Sequence, residues 1–234
     1  MTQSLADHRI DPEAARAACS AIRNSCIVLS RSDSLDSQCR LLNDVLSKSV
    51  DELANAIAMH HLEDELVTEQ AAGALQAACA AREGLALSLG TAVDPLVVAM
   101  NRFPASVDLQ RHGIGVLGQY IFASNEIPDL ITDDLVGAVV RFIQKEVDED
   151  DAVNLIHTAI EVILAVATSG FQGVEALLRN KNMLDSIMSC MSKYPDSSSI
   201  QYACIDILSN TSLDPYTRAD VSRRGGTGRI ISAL

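Results

Sequence analysis

His157 and Glu161 are the pair whose types and spacing come nearest to chemistry: an imidazole and a carboxylate four residues apart. On a helix that spacing stacks both on one face, as half of a metal site or as an acid–base pair. No third ligand stands near them in the sequence, and they read as a helix-surface pair. The other reactive types resolve in the same direction. Cys19 and Cys26 lie one heptad apart, on one helix face, which is a pattern of core packing. The six cysteines (Cys19, Cys26, Cys39, Cys79, Cys190 and Cys204) contain no CxxC pair and no CxxC…HxxxH frame, which argues against zinc. His60 and His61 end a predicted helix, where the helix dipole favours cations. The acidic run from Glu146 to Asp151 lacks the glycine and the alternating ligands of a calcium loop and reads as a solvated turn. GGTG at 225–228 is not followed by GK[ST] and is no phosphate loop. Arg218, Arg223, Arg224 and Arg229 form a small basic cluster that reads as an edge turn. No nucleophile–base pattern and no nucleotide fingerprint occurs. The expectation is therefore a protein that is no enzyme and uses no metal and no cofactor.

The elements carrying these residues are predicted to be helices. The chain has 234 residues, of which 48% are apolar and only 3% aromatic, with no Trp and six Pro. A core of Ala, Leu, Ile and Val with long Pro-free spans suits helices packed closely, and favours all-α over a sandwich or barrel. The net charge is −13. Such a balance repels nucleic acid and suits a basic peptide or a basic protein face. The N-terminal residues lack the apolar segment of a secretory signal, and no apolar run reaches the roughly 20 residues that span a bilayer. These features predict a soluble protein of the cytoplasm, with the nucleus as alternative, with reduced thiols and no membrane insertion.

Residues 1–11 are expected to be flexible. Asp11-Pro12 then opens a helix, with Ala15, Ala18, Cys19, Ile22 and Cys26 near a 3.6-residue period. Further helices are predicted over about 35–47, 50–60 and 64–81, and a short one over 82–92 closing at Gly90. Asp94 and Pro95 are read as the start of a helix that runs to about Phe103, followed by one from Ser106 to Phe122. Helices over 134–147, 152–167 and 170–181 follow, then a pair from Met183 onward, a short helix with its Gly-rich end over 211–228 and the start of another in RIISAL. Gly73, Gly113, Gly115 and Gly118 weaken the helix prediction locally, since mid-helix glycine costs about 1 kcal/mol, unless packing requires them.

One stretch is used twice. DPLVVAMNRFPASVDLQRHGIGVLGQ (94–119) and DSIMSCMSKYPDSSSIQYACIDILSN (185–210) align without a gap at an offset of 91. Asp94 meets Asp185, Met100 meets Met191, Phe103 meets Tyr194, Pro104 meets Pro195, Gln110 meets Gln201 and Leu117 meets Leu208. The longer helices centre near 22, 73, 115, 160 and 205, with later spacings of about 42–45 residues. A period of about 40–47 with two or three helices per unit is the signature of a HEAT or armadillo solenoid.

Three details resemble the armadillo family in particular. ACSAIRNSC (18–26) and ACIDILSNTS (203–212) are similar to its third-helix pattern A-C-x-A-L-x-N-L-A. Gly225-Gly226 before RIISAL resembles its G-G-I-x-x-L-L entry into helix two. The linker M-x-x-[FY]-P-x-S-x-x-[LI]-Q resembles that of cytosolic armadillo-repeat-containing proteins and of the armadillo region of large leucine-rich-repeat kinases. The resemblance implies a right-handed α-solenoid of about five armadillo-like units over 12–234, the last incomplete. It implies third helices lining a concave groove in which an Asn pins an extended peptide. The position four residues before that Asn, Trp in nuclear-import adaptors, is Ser20, Gly73, Gly115, Glu161 and Asp206, so the import ladder is missing. The implied groove residues are Asn24, Glu69, Arg111, Gln119, His157, Glu161, Tyr202, Asp206 and Asn210. The function that follows is a non-enzymatic scaffold for a protein or peptide segment. Its alternatives are a nuclear-import or cargo adaptor, and a regulatory armadillo fragment of a larger protein.

Overall fold

A computed structural model describes residues 12–30, 48–58, 63–81, 83–124, 132–146 and 152–233. The expectations for residues 1–11, for a helix over 35–47, for Cys39, for His60 and His61 and for 147–151 lie outside them. All regular structure in the described residues is helical, with no strand. The chain divides into two units, Met1–Asn125 and Glu126–Leu234.

The first unit contains α1 (Pro12–Ser30), α2 (48–58), α3 (Glu65–Ala81), a 3-10 segment η1 (Glu83–Leu89), α4 (Gly90–Arg102) and α5 (Val107–Ser124). Asp64 starts α3 by accepting the Val67 N–H at 2.9 Å, which satisfies one of the free donors of the first turn. α3 packs against both α1 and α5. Its fully buried face is Val67, Ala71, Ala74, Leu75 and Ala78, and small side chains there let neighbouring backbones come close. Cys19, Cys26 and Ile22 of α1 and Ile114 and Leu117 of α5 complete that core.

The second unit contains α6 (Thr132–Glu146), α7 (Val153–Thr168), α8 (Phe171–Arg179), α9 (Met183–Lys193), α10 (Ser198–Thr211), α11 (Pro215–Arg223) and α12 (Gly226–Ala233). α7 packs against α6, α8 and α10. Ile156, Ala159, Ile160, Ile163 and Val166 bury its apolar side, as Ile200, Cys204, Ile207 and Leu208 do for α10. α11 begins at Asp214-Pro215, with the Asp214 carboxylate accepting from the Thr217 N–H at 2.7 Å and the Thr217 hydroxyl at 2.8 Å.

The two echoing stretches fold alike. In the first, the buried Gln110 amide donates to the Met100 carbonyl at 2.9 Å and the Phe103 carbonyl at 3.2 Å. In the second, Gln201 donates to Met191 at 2.9 Å and Tyr194 at 2.8 Å. Phe103 and Tyr194 end their helices at nearly the same backbone angles, φ −117° with ψ 62° and φ −120° with ψ 56°. The glutamine thus satisfies the Met100 or Met191 carbonyl that the broken helix leaves without a partner. It adds a second bond to the Phe103 or Tyr194 carbonyl, which also accepts the N–H of Ser106 or Ser197 at 3.2 Å. It ties two successive helices at a fixed turn, which is why its position recurs.

Two boundaries differ from the expectation. Gly90 begins a helix rather than ending one, and Pro95 lies inside α4 rather than in its first turn. Ala92, Val93, Leu96, Val97, Ala99 and Met100 are buried along that helix, so one continuous apolar face carries it past the missing N–H of Pro95. Glu146, where the helix expected over 134–147 and the expected acidic turn overlap, is the last residue of α6 and, unlike a solvated turn residue, is 4% exposed. It stands one turn beyond Phe142 and Ile143, on the face that they bury.

Candidate functional site

In the first unit, the residues implied for a groove lie along the seam between α3 and α5. Glu69, at one end, accepts from the Ser106 hydroxyl at 3.1 Å and from the Gln70 amide at 3.3 Å. Gln70 in turn accepts from Ser20 of α1 at 3.0 Å. Gln119, at the other end, donates to the Gln76 carbonyl at 3.5 Å while its Oε1 is buried without a hydrogen-bond partner. Arg111 is half-buried on the same helix, and Asn24 of α1 is exposed.

Between these ends is a feature that sequence reading did not single out. A Cβ on Gly73 of α3 would lie 3.0 Å from Nε2 of His112 on α5. A Cβ on Gly115 of α5 would run into the side chain of Gln76 on α3, with Cδ at 2.6 Å. His112 and Gln76 are joined across the seam, Nδ1 to Oε1, at 2.7 Å. Each helix therefore supplies one glycine and, three residues away, one polar side chain that lies over the glycine opposite. The mid-helix glycines have their packing reason: only a missing Cβ leaves room for the crossing side chain. Burial lowers the His112 pKa, with Arg23 of α1 adding to the effect and Asp108 opposing it. The ring is neutral, and its Nδ1–H donates to the Gln76 oxygen. Two implied groove positions, Gly73 and Gly115, are thus covered by side chains of the facing helix. The faint signal was the reciprocal spacing itself, Gly73…Gln76 against His112…Gly115.

The second unit leaves its implied residues more open. His157 and Glu161 approach to 3.4 Å on α7, both partly exposed. On α10, Tyr202 is 61% exposed and Asp206 is exposed one turn later. Asn210, another turn on, donates to the Asp206 carbonyl at 2.8 Å. This is ordinary back-bonding within the helix, and it leaves the side-chain oxygen available. Asn210 also lines a pocket of about 760 Å³. Ala167 and Thr168 at the end of α7 form one wall, Phe171, Val174 and Leu178 of α8 another, and Leu213 and Asp214 before α11 the third. Sequence reading missed it because its walls come from two segments, 167–178 and 210–214, that are distant in the chain.

Among the described residues no group of three or more His, Cys, Asp or Glu is placed to hold a metal. Cys19, Cys26, Cys79, Cys190 and Cys204 are buried free thiols. Burial pushes Cys19, Cys79 and Cys190 up to about 12, so these thiols are not nucleophilic at neutral pH. No described helix is long and apolar enough to cross a membrane. Comparison with family models, with curated proteins and with solved structures gives no match to this chain.

Proposed function

We propose that the protein is a non-catalytic interaction scaffold, an armadillo-like right-handed α-solenoid that holds a protein or extended peptide segment against its long helices. What supports this reading is the arrangement of α7 and α10. These two helices pack together through fully buried apolar faces, while Tyr202 and Asp206 are exposed and Glu161, beside His157, is partly so. A rigid helix pair that spends its apolar face on its own fold and displays a phenol and carboxylates suits a partner with cationic side chains and free backbone amides. The congruent glutamine contacts of the two echoing stretches support the repeat reading. The thiols in the core and the acidic balance agree with a cytoplasmic or nuclear setting.

The test is affinity capture from a cell extract by the chain and by a Glu161→Lys, Asp206→Lys double variant. Asp206 is exposed and Glu161 partly so, and a wild-type helical circular dichroism signal of the variant checks that it folds. The expected outcome is a set of proteins with basic segments that the variant no longer retains. Recovery of the same set by both would defeat the assignment.

A further inference from the structure

The pocket on the second unit carries more than a general binding surface. Its two flanking apolar side chains are left in water: Phe171 is 82% exposed and Leu213 is 74% exposed. Both line the same cavity, which is wide enough for a bulky side chain. Ala167, Val174 and Leu178 line it as well, so an apolar group entering it meets a mostly apolar surface. An exposed pair of large apolar residues around a concave apolar surface is the mark of an interaction site rather than of scattered surface carbon.

The charges at the pocket choose among occupants. Glu175 and Asp214 line it, and no Lys or Arg does. Two guanidiniums stand next to the lining residues in sequence, Arg179 after Leu178 and Arg218 four residues after Asp214. Arg179 pairs with Glu175 at 3.3 Å and with Asp133 at 2.8 Å. Arg218 donates to the Ser212 carbonyl at 3.0 Å and to Leu213 at 3.5 Å, closing the end of α10. Asp214 accepts from Thr217 at the start of α11, which keeps it ionised. Glu175 is thus engaged by Arg179, and Asp214, which makes no ion pair among the described residues, is the carboxylate left at the rim, with the Asn210 amide beside it able to bond a backbone.

We propose that this pocket takes one bulky aliphatic or aromatic anchor of a partner peptide, with a Lys or Arg of the same peptide set against Asp214. It rests on the scaffold reading and adds a place and a chemistry for the partner. It also puts the strongest contact off the polar faces of α7 and α10, at the turn from α7 to α8.

The test uses a displayed library of random twelve-residue peptides panned on the full chain, with enriched sequences resynthesised and titrated by fluorescence anisotropy. The expected binders carry Phe, Leu, Ile or Met within two residues of Lys or Arg. Phe171→Glu and Leu213→Glu should each weaken them by about tenfold or more, since each removes an anchor contact and adds a charge. Asp214→Asn keeps a capping side chain but removes the charge. It should weaken the same peptides about threefold, with the difference fading above about 0.5 M salt. The wild-type helical circular dichroism signal in all three variants shows that the fold is intact. Binders indifferent to Phe171→Glu and Leu213→Glu, or anchors flanked by Asp or Glu, would overturn the pocket assignment. If such binders are lost on Glu161→Lys with Asp206→Lys, the scaffold reading still stands. A library that yields no binder overturns both.

Discussion

Removing the buried amide of Gln110 or Gln201 leaves the Met100 or Met191 carbonyl unsatisfied, because the residue four places on from that methionine is proline, whereas the Phe103 and Tyr194 carbonyls keep the N–H of Ser106 and Ser197 at 3.2 Å. Gln110→Ala and Gln201→Ala are expected to lower stability by about 1–3 kcal/mol each, measured by urea unfolding. The two penalties should be similar, because the two glutamines make the same pair of bonds at the same kind of turn. A penalty at one site and none at the other would show that the congruence is only geometric. His112 makes a separate prediction. Its folded pKa lies below the ordinary value of about 6.5, so the unfolded chain binds more protons as pH falls through that value. The stability contributed by the neutral ring is therefore present above about pH 6.5 and lost below it. His112→Gln should flatten that part of the stability–pH curve of the first unit. An unchanged slope between about pH 5 and 7 would mean that the ring titrates as in the unfolded chain.

Helices in this chain are positioned by a few close approaches. The first turn of α8 runs so near the end of α7 that a Cβ on Gly173 would collide with the Val166 carbonyl oxygen and the Ser169 hydroxyl. The obstacle includes backbone, which cannot rotate away as a side chain can. Gly173→Ala should therefore destabilise the second unit by about 2 kcal/mol or more in thermal or urea melts, as overpacking does. Gly115→Ala meets only a side chain. It should cost less, and its signature should be loss of the His112–Gln76 bond, visible in the imidazole NMR signals. At the start of α11, Asp214→Ala should lower the melting temperature more than Asp214→Asn, since only the first removes the cap. The cap bonds hold the Asp214 pKa below its ordinary value. That stability is full above about pH 4 and is lost as pH falls through the lowered folded value.

For the molecule as a whole, the cysteines give a direct check on core assignment. In a Cys39→Ser background the remaining five thiols should resist an aromatic disulfide reagent in the native state, and all five should react in denaturant. One fast thiol in native buffer would place that residue outside the core. This much was legible beforehand: Cys19 and Cys26 are a heptad apart, and a heptad returns a side chain to the same helix face. Helix identity was legible for the same reason, since apolar periodicity is a local property. The end of α4 at Arg102 and the start of α5 at Val107 follow from Pro104. The start of α4 was not legible, because burial over 92–100 outweighs the local signals of Asp94 and Pro95.

By itself, then, the order of residues determined an all-helical fold class, the burial of Cys19 and Cys26 and a stretch used twice, through spacings of three, four, seven and ninety-one positions. Only the tertiary structure decided what those residues face. Gly73 and Gly115 give room to His112 and Gln76, and Glu69 spends its carboxylate on Ser106. Phe171, Asn210 and Leu213 share a pocket that no local pattern announces. The reason is physical: periodicity says which side of a helix is buried, whereas the register between helices is set by packing between residues distant in the chain.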